Sequence, residues 1–471
     1  MQEALDLGLP EDSESALSDV GARKPHVRRQ VVFRTTSEPE LYPMDFASML
    51  SPDCPSKLIR LGLSKLDLSE FLASYKDFGG VSYDAVSFVG VMLLAYILGI
   101  RSSARIEEHC RYDIRFMYVG NGIQPDERTI RRFRRRLDAF ADVLFKSVLS
   151  ACLEEELVTK RLVAVDGTKI ASAASGLKRW FSEEEEAQIK EMGLEAPKSS
   201  DPDSRMMKSQ GSFVRGYNCQ AAVDCNSGIV VAIDISQCSN DRPSLAPMVT
   251  KIIENLGEPP EKIVADTGYD STEGIQACDE LKADLIVAIE GQSPHFWTVT
   301  PDEQILCPLG QPAVFVGETK DRGKPVQVLR VHGCSSCTYY GTCCSTRCGR
   351  TLKLPPGCNP AHRILAAYRA RGPEGKMAMV ERMASIEPVF GDIKWNKKMT
   401  RFLLRGIPGV STEWALIHIA RNLMALARAL SDLFVFIFAN YRQKETSSRM
   451  RIFSAVRLAR VMQSALFCSR I

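Results

Sequence analysis

The chain has 471 residues, 45% apolar and 25% charged, with a formal net charge of +3. That length allows two or three domains with sizeable cores, and the composition is that of an ordinary globular protein rather than a disordered or fibrous one. So small a net charge excludes reading nucleic-acid binding from bulk charge; any such signal lies in how the charges are distributed.

Residues 1–54 read as a variable, partly disordered N-terminal segment. Met1–Val20 carries six acidic residues and no basic one, and the basic run RKPHVRRQVVFR follows. No basic stretch leading into an apolar core marks a secretory signal. The runs VSFVGVMLLAYILGI and LFVFIFA fall short of the roughly 20 residues that span a bilayer, so both read as buried helices and no membrane is expected. With 15 scattered cysteines, a reducing cytoplasm holding thiols or metal ligands is expected rather than a disulfide framework.

Residues 55–157 read as a helical domain. LDLSEFLASYKDF and VSFVGVMLLAYILGI carry apolar residues at helical spacing, with Gly79 and Gly80 between them, and RSSARIEEHCRYDIRFMYV reads as one further helix. Pro125 and Asp126 suit the start of the next, whose first turns crowd Arg128, Arg131, Arg132, Arg134, Arg135 and Arg136. Such a run suits DNA phosphates, with an exposed charged helix face as the plain alternative.

The texture changes at Lys160. RLVAVDG, VRGYNCQAAVD, GIVVAIDIS, KIVADTG and DLIVAIE are short Val/Ile/Ala-rich runs bounded by turn residues, hence strands; RPSLAPMVTKIIENLG and STEGIQACDELKAD lie between the later ones as helices. A meander followed by strand–helix–strand units predicts an α/β fold, a mixed sheet flanked by helices, built from residues 158–290 and 364–440. SEEEEAQIKEMGL, with Ser182 and Glu185 at capping-box spacing, reads as a solvated helix. Residues 291–363 turn to Pro, Gly and Cys with little periodicity and read as a cysteine-rich insertion. The positions around Trp414–Leu430 read as core, and 441–471 as a basic C-terminal tail.

Asp166 ends one buried run and Asp266 another. Singly, Asp-Gly suits a hairpin turn and DTGYDS a loop. Together, two acids at the ends of comparable runs suggest neighbouring strands offering carboxylates at one edge. Like charges so close need a proton or a cation between them, and hard oxygen ligands favour Mg²⁺. Two such ions about 3.5–4 Å apart serve phosphoryl transfer. SIEPVFGDIK offers a third acid: Pro388 is tolerated in a first helical turn, which puts Glu387 at or near a helix start, and Lys394 lies two turns or roughly 10 Å along the same face. Asp224 and Asp234 also sit on or after strands and compete for the role given to Asp166.

The succession AVDGTKI, DPDSRMM, GYNCQAAVD, VADTGYDS and IEPVFGDIK, ending in RFLLRGI, resembles bacterial insertion-sequence transposases with a DDE triad, and within them the group numbered after insertion sequence 1182. The resemblance runs from about Pro55 to Leu430. It implies a ribonuclease H-like fold with Asp166, Asp266 and Glu387 as triad and Mg²⁺ (or Mn²⁺) ligands, and Lys394 on DNA. It decides against Asp224 and Asp234. Arg382 precedes Glu387 by five positions with no tyrosine nearby, so that part of the family signature is imperfect. Also implied are cleavage of transposon ends, strand transfer into target DNA, double-stranded DNA as partner, a homo-oligomer and a bacterial, nucleoid-associated cytoplasmic location. A nuclease that cuts without joining, or an inactive DNA-binding derivative, are the alternatives.

Within the insertion, Cys334 and Cys337 form a CxxC, with Cys307 upstream and Cys343, Cys344 and Cys348 downstream. Cys307, Cys334, Cys337 and Cys343 are the chosen ligands for structural Zn²⁺, against unligated thiols. Arg128, Arg131, Arg132 and Arg135 are the expected DNA contacts. His109, His332 and His418 show no ligand spacing, and Tyr217 and Asn218 read as supports of the site.

Overall fold

The computed structural model describes residues 45–75, 82–174, 200–209, 212–288, 297–302, 304–321, 323–354 and 359–444, with 33–34, 191–192 and 356 besides. The acidic helix expected at 182–194, apart from residues 191–192, and most of both terminal segments lie outside the described residues.

The helical region opens with α1 (Pro55–Leu63) and α2 (Ala85–Ile97). Asp84 caps α2 by accepting from the Ser87 N–H at 2.8 Å, and every residue from Ala85 to Tyr96 except Val86 is buried, as an apolar-all-round helix requires. The stretch expected as one helix from Arg101 divides into α3 (Ser103–Tyr112) and α4 (Ile114–Val119). Asp113 breaks it: its backbone is extended, and its carboxylate accepts from the Arg115 N–H and guanidinium, starting a new helix. Asp126 caps α5 (Glu127–Leu137) through the Thr129 N–H at 2.6 Å, and α6 (Ala141–Glu154) completes the set.

The sheet centres on β1 (Leu162–Ala171). Antiparallel to it runs β3 (Ser212–Asp224), whose far edge pairs with β2 (Arg205–Ser209) and β4 (Val230–Ser236). On the other side β5 (Lys262–Ala265) and then β6 (Leu285–Val287) run parallel to β1. The helices α7 (Leu245–Leu256) and α8 (Thr272–Glu280) connect them. Central strands buried on both faces need near-continuous Val, Ile and Ala, which is what LVAV at the start of β1 and KIVA in β5 supply.

The segment expected to lack periodicity contains a small antiparallel sheet: β7 (Val314–Asp321), β8 (Lys324–Arg330) and β9 (Thr351–Leu354). Val314, Phe315 and Val316 are exposed, so no buried face imposed the alternation that would have revealed β7. Beyond it come α9 (Pro360–Arg371), α10 (Pro373–Gly391) and α11 (Gly406–Lys444).

Glu387 is not at a helix start. Pro373 takes the first-turn position of α10 after extended Gly372, and Pro388 lies inside the helix, near its end. Pro388 has no N–H for the preceding turn, and the chain then opens into a π turn over Asp392–Asn396. The helical region and the sheet share one core, continuous from Leu58 to Leu430. At Gly62, α1 meets α11 so closely that a Cβ would fall 2.6 Å from the Leu423 side chain. Glu413 on α11 is fully buried and accepts from the Leu403 and Leu404 N–H groups, the Tyr96 hydroxyl at 3.3 Å, and faces Arg101 at 3.7 Å. Among the described residues no helix is long and apolar enough to cross a membrane.

Candidate active site

The register of β1 and β5 pairs Val165 with Ala265, so the next residues, Asp166 within β1 and Asp266 just past the end of β5, stand level on parallel runs of chain about 4.8 Å apart. Asp166 is no hairpin former: β1 continues through Gly167 to Ala171. Asp266 does serve its turn as well, accepting from the Gly268 N–H at 2.8 Å. Burial pushes the Asp166 carboxyl up to about 6; Arg382 opposes that shift and the Asp266 charge adds to it. Asp266 is also raised, chiefly by burial. The pair is therefore electrostatically uncomfortable as dianion, which is the condition a cation relieves.

A protein cation already contributes. Arg382, on the inward face of α10, donates from Nη1 to Asp166 Oδ2 at 2.9 Å, while its buried Nε has no partner among the described residues. Lys394, in the π turn, is half-buried; desolvation lowers its pKa, and the fields of Cys219 and Asp166 oppose that. Glu387 is exposed on α10, five residues beyond Arg382, and makes no ion pair or hydrogen bond among the described residues. The structure thus brings together Asp166, Asp266, Arg382 and Lys394, and leaves Glu387 facing solvent.

A third acid stands at this site with little to mark it in the sequence. Asp241, in the turn before α7, accepts at Oδ1 from Asn218 Nδ2 at 2.7 Å and Gln220 Nε2 at 2.8 Å, and Tyr269 donates its hydroxyl to Gln220 Oε1. Residues 218 and 220 project from one face of β3, so alternation alone aims both at one carboxylate. The only sequence signal was the polar pair at i and i+2 within an otherwise buried strand, GYNCQAAVD. Tyr217 points the other way and donates to Asp201 Oδ1 at 2.7 Å. The competing acids are structural: Asp224 accepts from the Thr159, Lys160 and Ser227 N–H groups, and Asp234 pairs with Lys251 at 2.6 Å.

On α5, Arg128, Arg131, Arg132 and Arg135 are exposed. Arg134 instead donates to the Arg101 carbonyl, and Arg136 lies 3.6 Å over the Tyr75 ring. In the insertion, Cys307, Cys334, Cys337 and Cys343 line one small cavity, joined by Cys344. Backbone N–H groups of Gln311, Arg350 and Tyr339 point at the sulfurs of Cys307, Cys334 and Cys337 at 3.3–3.4 Å. Burial, with Cys344 and Cys307 as neighbours, pushes the Cys334 thiol up. Among the described residues no three acids, thiols or imidazoles are gathered tightly enough to hold an ion as they stand. His418 is fully buried beside Trp414, and His109 pairs with Asp113 at 3.1 Å.

Three family models match the chain: a "Transposase domain (DUF772)" over residues 55–136 and two described as "Transposase DDE domain" over 159–314 and 306–427. No curated protein matches it. Among solved structures it is similar to a piggyBac transposase synaptic complex with hairpin DNA, at 8% identity and TM-score 0.33, covering 86% of this chain and 85% of that one. It is also similar to a Mos1 transposase paired-end complex with left transposon end, at 8% identity and TM-score 0.16, covering 46% and 64%. With the DDE domain matched from residue 159 to residue 427, across both aspartates and α10, the chain is an enzyme of the DDE transposase class.

Proposed function

We propose that this enzyme cuts the ends of a transposon and joins them to target DNA, on a ribonuclease H-like core of the insertion sequence 1182 type. The observation that carries the reading is the level placement of Asp166 and Asp266 on adjacent parallel runs of chain, both with raised pKa. These are hard oxygen donors crowded by burial and part-neutralised by a guanidinium, so they fit Mg²⁺ or Mn²⁺. Asp166 and Asp266 would hold it, with Glu387 as the third carboxylate from α10. Held there, a divalent cation would supply charge neutralisation at a scissile phosphate and a lowered barrier to attack by water or a 3′ hydroxyl.

The chain's own residues do the rest. Arg382 fixes the rotamer of Asp166. Lys394 lies within the field of Asp166, where its ammonium would grip a phosphate next to the scissile one. Arg128, Arg131, Arg132 and Arg135 form an exposed basic face for duplex phosphates. Cutting frees a 3′ hydroxyl, which attacks a target phosphodiester in turn, so no covalent enzyme intermediate is needed. Paired ends call for a homo-oligomer, acting at the nucleoid. The cysteine cluster would bind one structural Zn²⁺ in the insertion, with backbone N–H groups supporting its thiolates.

The test is to incubate the full chain with its flanking terminal DNA, a target plasmid and Mn²⁺ or Mg²⁺. Wild type should give nicked ends and joined products, and Asp266→Ala neither. Equal cutting by both ends this reading, and cut but unjoined ends mark a nuclease instead.

A further inference from the structure

The residue after Asp166 and the second after Asp266 are both glycine, and the structure gives them one shared consequence. A Cβ on Gly167 would lie 2.4 Å from Asp241 Oδ1 and 2.4 Å from Gln220 Nε2. A Cβ on Gly268 would lie 2.9 Å from Asp266 Oδ1 and 3.2 Å from Asp241 Oδ2. Gly167 is mid-strand, directly across from Gln220 in the register, and Gly268 sits within the turn that Asp266 caps. Neither has the positive φ that would otherwise call for glycine. What the missing side chains leave is a notch midway along β1, beside the end of β5, and Asp241 fills it from the α7 side.

We propose that Asp241 is a further carboxylate of the metal-binding set, alongside Asp166 and Asp266. Its two hydrogen bonds both fall on Oδ1, from Asn218 and Gln220, which leaves Oδ2 turned toward Gly268 and Asp266. A carboxylate fixed through one oxygen and open through the other is oriented as metal-ligating carboxylates are, with the fixing bonds coming from a neighbouring layer. One further group points to a ligand. Asn218 is fully buried, its Oδ1 has no donor among the described residues, and that oxygen lies 3.1 Å from the same Gly167 position. An orphaned amide carbonyl beside three carboxylates is the donor chemistry of a hard divalent cation. This rests on the Asp166–Asp266 site proposed above and adds a residue to it that comes before α7, from neither strand nor α10.

Mn²⁺ binding by the full-length protein without DNA tests it, followed by electron paramagnetic resonance. Asp241→Asn keeps the acceptor for Asn218 and Gln220, so the turn should hold, and affinity should fall by at least the roughly 10- to 100-fold that loss of a mere supporting residue brings. Glu387→Gln should change it less, because Glu387 is exposed. Wild-type affinity in Asp241→Asn, with loss in Asp166→Asn and Asp266→Asn, overturns this assignment alone. Unchanged affinity in all three aspartate variants overturns the site reading and this one with it. A second measurement needs no variant: the wild-type protein loaded with Fe²⁺ and treated with peroxide and ascorbate should be cut in its backbone at 239–243 as well as beside Asp166 and Asp266. Cuts at the latter two without one at 239–243 also overturn the proposal.

Discussion

The sheet edge and the cysteine-rich segment solve the problem of placing functional groups in opposite ways. At the edge, Asp166 and Asp266 are held by strands whose neighbours Val163, Val165, Val264 and Ala265 are wholly buried, so position comes from hydrophobic burial. Among the described residues of 297–354 the buried apolar ones are Ile305, Val328, Val331 and Leu354, far too few to fix its strands and the loops between them by packing. The first region should keep its shape when its chemistry is removed, whereas the second should lose its shape along with its chemistry.

Cys334→Ser is the harshest test of that contrast, since the binding energy of a structural zinc is folding energy, about 10 kcal/mol or more. One zinc per wild-type chain should vanish from metal analysis of the variant, and limited proteolysis should cut within 297–354 while the remainder stays intact. Wild-type protein without zinc would refute the metal, and a resistant variant would refute the contrast. Asp266→Asn is the converse: cleavage should fall by about 10³-fold or more, some 4 kcal/mol, with thermal unfolding unchanged or slightly raised, because a repelling charge is gone.

Glu413 sharpens the comparison from inside the core. Removing a buried carboxylate that holds two loop N–H groups and faces Arg101 leaves those partners uncompensated, so Glu413→Ala should cost about 3–5 kcal/mol in urea unfolding. The loop it secures, RFLLRGI, lies just past Lys394, and cleavage should weaken too. A loss below about 1 kcal/mol would mean the loop is held by Phe402 packing instead.

His418 gives a pH signature. Burial lowers it to about 3 from 6.5, with the Arg421 charge as a second cause. The unfolded chain takes up a proton below 6.5 and the folded ring does not. Stability is thus fully present above that pH and is lost as pH falls toward 3, at about 1.4 kcal/mol per unit or roughly 2 kcal/mol by pH 5. His418→Phe should remove that slope from denaturant curves measured at pH 7 and pH 5; an unchanged slope would place the acid sensitivity elsewhere.

Much of this was legible in sequence, for physical reasons that also mark where it stopped. Strands buried on both faces announce themselves as β1, β3 and β5 did, and a carboxylate closing such a run is conspicuous. β7 was invisible because exposed faces impose no alternation. Glu387 was misplaced because Pro388 looks the same at a helix start and before a π turn. Asp241 was hidden because NDRPS is an ordinary turn and helix entry; only the two glycines and the two amides converging on it distinguish it, and that convergence is tertiary. Arg382, which the sequence offered weakly, became central once α10 was seen to lay it on Asp166.

The smallest effects belong to α5, where one helix carries arginines of both kinds. Arg132 is exposed, and replacing it by alanine should weaken DNA binding uniformly across sequences and lower the slope of log affinity against log salt by about 0.9. Arg136→Ala should behave differently. Its guanidinium covers the Tyr75 ring and donates to the Ser74 carbonyl, so the loss is of packing, about 1 kcal/mol of stability, with the salt slope untouched. Fluorescence anisotropy on a labelled duplex at several salt concentrations, with unfolding curves for both variants, separates the two. If Arg132→Ala leaves the slope unchanged, the exposed face of α5 is solvated surface and the phosphate contacts lie elsewhere. If Arg136→Ala lowers it, the division between inward and outward arginines fails, and burial no longer tells which cations are free for DNA.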